Sequence, residues 1–173
     1  MNTLVTELRS SDPQLQKTLS NCRHRMLRHS NVRSKHSEGV KVLEPRNEFD
    51  IDYRCVCLGL ERFVRSGKGK AITVSIGELA RFGSVSIYLP VVAPELRDSI
   101  DLLHESLRQQ GVSVGALECS TPSIVLADGL SSEGFVAAWE DCDAERFPSE
   151  AHLDLLTIRT DAGTDLYTIP LQP

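Results

Sequence analysis

Apolar residues recur along this chain with two different periods, and the alternation between them predicts its elements. Leu15, Leu19, Cys22 and Met26 stand at i, i+4, i+7 and i+11, one face of an α-helix. Asp12-Pro13 opens that helix well, since aspartate caps free N–H groups and proline loses nothing at the first helical position. Arg23, Arg25, Arg28 and His29 gather toward its C-terminal end, where positive charge suits the helix dipole. A second stripe, Leu96, Ile100, Leu103 and Leu107, runs from Pro94 to Gly111 with His104 on its flank. Ser132 can cap a third helix that carries Phe135, Trp139 and Cys142 on one face.

Between the helices the period drops to two. Phe49, Ile51, Tyr53, Cys55 and Cys57 alternate with Asp50, Asp52, Arg54 and Val56, the pattern of a strand with one buried face. Ala71–Ile76, Ser84–Leu89, Val112–Leu117 and Ser123–Leu126 are further β-rich runs. Leu155–Thr160 and Asp165–Ile169 read as a hairpin around Asp161-Ala162-Gly163. No internal repeat is visible. The expected class is α+β (mixed α/β): a mixed sheet of about five to seven strands with two helices packed on it, preceded by a basic N-terminal helix and linker.

Charge sharpens that division. Residues 1–41 carry a net of about +5 and residues 42–173 about −10, although the whole chain of 173 residues carries only −5. The expected organisation is therefore 1–41 as a basic N-terminal helix and flexible arm and 42–173 as a single globular α+β domain. The segment SNVRSKHSEG, polar and without periodicity, is the linker. Hydrophobic and charged contents of 40% and 25% are those of a soluble protein. No apolar run is long enough to cross a bilayer, and no signal peptide is visible. Five cysteines without framework spacing read as reduced thiols, so the expected location is the cytoplasm.

The candidate chemistry narrows quickly. Arg23, Arg25, Arg28, Arg33 and Lys35 form the candidate partner- or anion-binding cluster, since Lys and Arg neutralise phosphates or an acidic protein patch. Glu48, Asp50 and Asp52 share a face of the expected strand and are the alternative metal-dependent hydrolase site, although the acid-x-Lys strand that would complete it is missing. Cys55 and Cys57 lack the paired ligand units of a zinc site and read as packing. Ser66-Gly67-Lys68-Gly69-Lys70 feeds a strand rather than a helix, the reverse of a phosphate-binding loop. No catalytic constellation, metal site or cofactor motif emerges.

Residues 71–120, running strand, hairpin, strand, helix and then LRQQGVSVGALEC, resemble the C-terminal domain of flagellar hook-length control and type III secretion switch proteins. The resemblance implies a switch domain without catalysis. The reading that follows is a non-catalytic cytoplasmic binding or regulatory module. It engages an unknown protein partner through the basic arm, with nucleic acid as the alternative partner and no membrane association.

Overall fold

A computed structural model describes residues 4–29, 36–43, 52–114 and 122–173 of the chain. Nine strands and four helices occur among the described residues. In chain order these are β1 (Leu4–Arg9), α1 (Pro13–His29), β2 (Val40–Leu43), α2 (Tyr53–Arg65), β3 (Ile72–Ile76), β4 (Ala80–Phe82), β5 (Ser86–Val92), α3 (Pro94–Gln109), β6 (Ser123–Ala127), α4 (Ser132–Asp143), β7 (Glu150–Leu153), β8 (Leu155–Thr160) and β9 (Asp165–Pro170). The strands form one curled antiparallel sheet in the order β7-β3-β5-β6-β2-β1-β8-β9, with β4 paired to β5.

This corrects the expectation of a mixed sheet of five to seven strands with two helices. The β-α-β-α-β order also occurs twice, as β1-α1-β2-α2-β3 and β5-α3-β6-α4-β7. β2 and β6 pair through Val40 and Ile124, and β3 of the first unit lies between β5 and β7 of the second.

Three local readings change, each for a physical reason. The string from Phe49 predicted a strand, yet from Tyr53 onward it is helix α2. Val56, Leu60, Phe63 and Val64 fit helical spacing, and Asp52 caps the start by accepting from the Arg54 N–H. Gly59 lets α2 and α3 approach, since a Cβ there would stand 2.7 Å from Leu107 Cδ2. The basic helix is not an element preceding the sheet. β1 comes before it and lies inside the sheet, and Leu15, Leu19, Cys22 and Met26 share a core with Leu8, Leu60 and Leu156. Strand β1 escaped notice because the positions between its apolar residues are themselves buried and bear charge, as described below. Of the run Val112–Leu117, Val112–Val114 is not in a strand, and 115–117 lies outside the described residues. The hairpin at Leu155–Thr160 is β8–β9, bonded along five residue pairs.

Both helix pairs, α1 with α4 and α2 with α3, pack on the same apolar side of the sheet. Val40, Leu89, Ile124, Leu156 and Ile158 point to that side. His104, expected on the flank of its stripe, is buried, and its Nε2 meets the Val42 carbonyl, tying α3 to the middle of the sheet. At the far edge, Tyr167 on β9 donates its hydroxyl to Glu61 of α2 at 3.0 Å. The Gly-Lys-Gly-Lys segment is a connector. Gly67 takes a left-handed φ of 78° after α2, and Ala71 N–H donates to the Gln172 carbonyl.

Two outcomes are expected from this packing. Leu103, 1% exposed, and Leu102, 39% exposed, are neighbours with opposite surroundings. In chemical denaturation Leu103→Ala is expected to cost about 2–5 kcal/mol and Leu102→Ala under about 1 kcal/mol; similar losses would show the helix phase to be wrong. Burial and the Glu61 carboxylate push the Tyr167 hydroxyl up to about 12. A raised native value means the stabilisation holds below the ordinary tyrosine range and is lost as pH rises through about 12. The latest tyrosinate absorbance step of the native protein is expected to disappear in Tyr167→Phe.

Candidate functional site

On the side of the sheet away from the helices, strand register fixes which residues are presented, and Glu7 and Thr157 are buried there. Direct antiparallel partners share a face. Val40 and Ile124 point to the core, so Lys41 on β2 and Ser123 and Val125 on β6 point the other way. Glu7 is the partner of both Lys41 and Thr157, and Thr157 is the partner of Thr168, which puts β1, β8 and β9 on the same surface. Toward the other edge, Tyr88 and Pro90 stand opposite Val125 and Ser123, Val92 opposite Ser75, and Thr73 opposite His152. The β2–β6 seam, with Lys41 and Ser123 on neighbouring strands, is therefore the floor of this face. Both residues are half-buried.

A buried ionic network flanks the floor. Glu7 is wholly inaccessible. One of its oxygens accepts from Arg9 Nε at 3.0 Å, the other from Arg159 Nε at 2.9 Å. Arg9 is clamped further by two 2.9 Å bonds to the Asp165 carboxylate and by Glu38 at 3.2 Å. Burial alone would lower the guanidinium's proton affinity. Its bonds to Asp165 and the charges of Glu7 and Glu38 outweigh that and raise it. Arg159 also donates to the His36 carbonyl at 2.7 Å, and the next residue, Ser37, exchanges hydrogen bonds with Val125 on β6. The network thus ties the segment leading into β2 to the floor. Gly39 completes the fit, since a Cβ there would fall 2.1 Å from the Leu8 carbonyl oxygen.

A separate pair lies toward the β7 edge, where His152 Nδ1 meets Thr73 Oγ1 at 3.2 Å. In the sheet order β7 stands four strands from β2, so His152 and Lys41 lie on different parts of this face.

The residues singled out by sequence do not assemble here. Arg23 pairs with Glu38 at 2.9 Å and Arg25 with Glu145 at 3.3 Å, so both bind carboxylates of this chain. The side chain of Arg28, with Arg33 and Lys35, lies outside the described residues. Asp52 is the cap of α2 and not a strand residue, while Glu48 and Asp50 lie outside the described residues. Cys55 and Cys57 stand two apart on a helix rather than on one strand face. Among the described residues no group of three or more His, Cys, Asp or Glu is placed to hold a metal, and no helix is long and apolar enough to cross a membrane. Lys41, Ser123 and the Glu7 network were missed. The alternation of Val40, Lys41 and Val42 was the available signal, and a four-residue strand is too short to stand out.

No family model matches the chain, and no curated protein matches it. Solved structures do. The crystal structure of a phosphoesterase shares the fold with a TM-score of 0.55 at 11% identity, over 100% of both chains. E. coli LigT matches in its apo form with a TM-score of 0.52 at 11% identity, over 99% of this chain and 98% of that one. E. coli LigT complexed with 3'-AMP matches with a TM-score of 0.54 at 12% identity, over 99% of both. At such identities the likeness is one of fold. It runs the whole length of the chain, which overturns the switch-domain resemblance of residues 71–120. The reading as a non-catalytic, regulatory protein-binding module is corrected as well: the fold is one that a phosphoesterase carries.

Removing the central carboxylate is expected to strand two buried guanidinium groups. Glu7→Gln should cost about 3–5 kcal/mol in denaturant unfolding. Asp165→Asn, at a side chain 51% exposed, should cost about 1 kcal/mol or less. Equal losses would mean that the network is not centred on Glu7.

Proposed function

We propose that this chain is a phosphoesterase-type enzyme acting on a nucleotide-like phosphate ester at the seam of the helix-free face. The observation that carries the reading is the helix-free face itself. In a fold shared end to end with a phosphoesterase and with LigT bound to 3'-AMP, it presents Lys41 and Ser123 on its floor. Lys41 supplies a compact cation for a phosphoryl oxygen, and the Ser123 hydroxyl a neighbouring hydrogen bond. Tyr88, two strands from β2, offers a ring at about the distance of a nucleoside from its phosphate.

Cleavage of the ester forms a bond between a water oxygen and phosphorus and breaks the bond to the leaving oxygen, which takes up a proton. Charge building on the phosphoryl oxygens is where a fixed ammonium lowers the barrier. Lys41 and Ser123 stand on neighbouring strands at that point, with the Glu7 carboxylate opposite Lys41 on β1. His152 and Thr73, four and three strands from β2 in the sheet order, would meet another part of a bound molecule.

The test is calorimetric titration of the purified chain with 3'-AMP, alongside turnover of a chromogenic phosphodiester. Measurable binding and turnover are expected, with turnover falling about 100-fold or more in Lys41→Ala while the melting temperature stays near that of the wild type. Absence of both binding and turnover in the folded protein, or full activity in Lys41→Ala, would overturn the reading.

A further inference from the structure

The apolar side of the molecule contains a sulfur cluster that the helix-free face does not use. Cys22 lies on the core stripe of α1 and Cys142 on that of α4, and neither has any exposed surface. Their Sγ atoms stand 2.9 Å apart, although 120 residues separate them in sequence. Met26, one turn along α1, brings its Sδ to 3.6 Å from Cys142. Cys55 and Cys57 are half-exposed on another helix and have no such counterpart among the described residues.

We propose that Cys22 and Cys142 are a covalent cross-linking site, closing to a disulfide that joins α1 to α4. A disulfide needs the sulfurs at about 2.05 Å, so the pair must approach by roughly 0.9 Å, within reach of small side-chain torsions on two helices already in contact. With oxidised glutathione as the oxidant, one thiolate attacks its disulfide, forming a mixed disulfide and releasing one reduced glutathione. The second thiolate then attacks the mixed disulfide and releases the other. Two thiols lose two protons and two electrons, and one oxidised glutathione becomes two reduced ones.

Where the bond forms follows from the burial. In the folded chain, the hydrogen bond to Cys22 and burial both hold the Cys142 thiol far above the ordinary range, which keeps its thiolate scarce. Closure therefore belongs to the folding chain, where both thiols are wet and α1 first meets α4. Once made, the bond is out of reach of a dithiol reductant. The cross-link records the redox conditions under which the molecule folded.

The experiment refolds the full-length chain with either dithiothreitol or a mixture of reduced and oxidised glutathione, then compares the two products. The glutathione product is expected to be 2 mass units lighter, to yield a peptide linking Cys22 to Cys142, and to melt about 10 °C higher. The link should persist when dithiothreitol is added to the native protein and vanish when it is added in denaturant. In Cys142→Ala both the mass loss and the melting shift should disappear. Because the linked peptide is read on the wild-type chain, a variant that fails to fold leaves the result intact. No mass loss, a link between other cysteines, or ready reduction in the native state would overturn the proposal.

Discussion

A carboxylate with no exposed surface, held between two guanidinium groups, is the interaction on which the middle of this sheet depends. Glu7 fills its two oxygens with Arg9 from its own strand and Arg159 from the neighbouring one. Neither arginine ends there: one reaches Asp165 on β9, the other the backbone before β2. Four strand segments thus converge on one buried charge. Desolvating such groups is expensive, and the arrangement holds only because every partner is present. Its return is positional, since it fixes the entry into β2 against β6 in the middle of the sheet.

That arrangement also explains what could be read in advance. The stripes of α1, α3 and α4 were legible because each buries one face and wets the other, as Leu96, Ile100, Leu103 and Leu107 do. The hairpin of β8 and β9 was legible from its turn. β1 was hidden because it is enclosed on both sides, and the second side is closed by charges rather than by hydrocarbon. β2 is short and β6 was read without its partner, so the floor formed by Lys41 and Ser123 existed only once the register was known. α2 was misread because a run of apolar residues interrupted by acids satisfies period two as well as the start of a helix. Asp52, taken as one of three site carboxylates, was the signal for that start.

The charge asymmetry has a partly internal explanation. Arg9 and Arg25 from the basic segment meet Asp165 and Glu145 of the acidic part, while Arg23 meets Glu38 within its own segment, so part of the excess is spent on carboxylates of this chain. Sequence alone shows where charges fall along the chain; only the fold shows that they were complementary. The helix-free face carries the Glu7 network beside Lys41, with aromatic and apolar groups to one side.

The pairing of β1 with β8 sets a clock on the ribosome. Glu7 and Arg159 are 152 residues apart. At roughly 5–20 residues per second, the first strand waits about 8–30 s for the partner that neutralises it. Throughout that interval β1 carries an unpaired strand edge, and α1 behind it an uncovered apolar stripe. The nascent chain is thus long-lived as a sticky intermediate, and slower elongation or a truncated message would lengthen its exposure to aggregation and to the cell's holding chaperones.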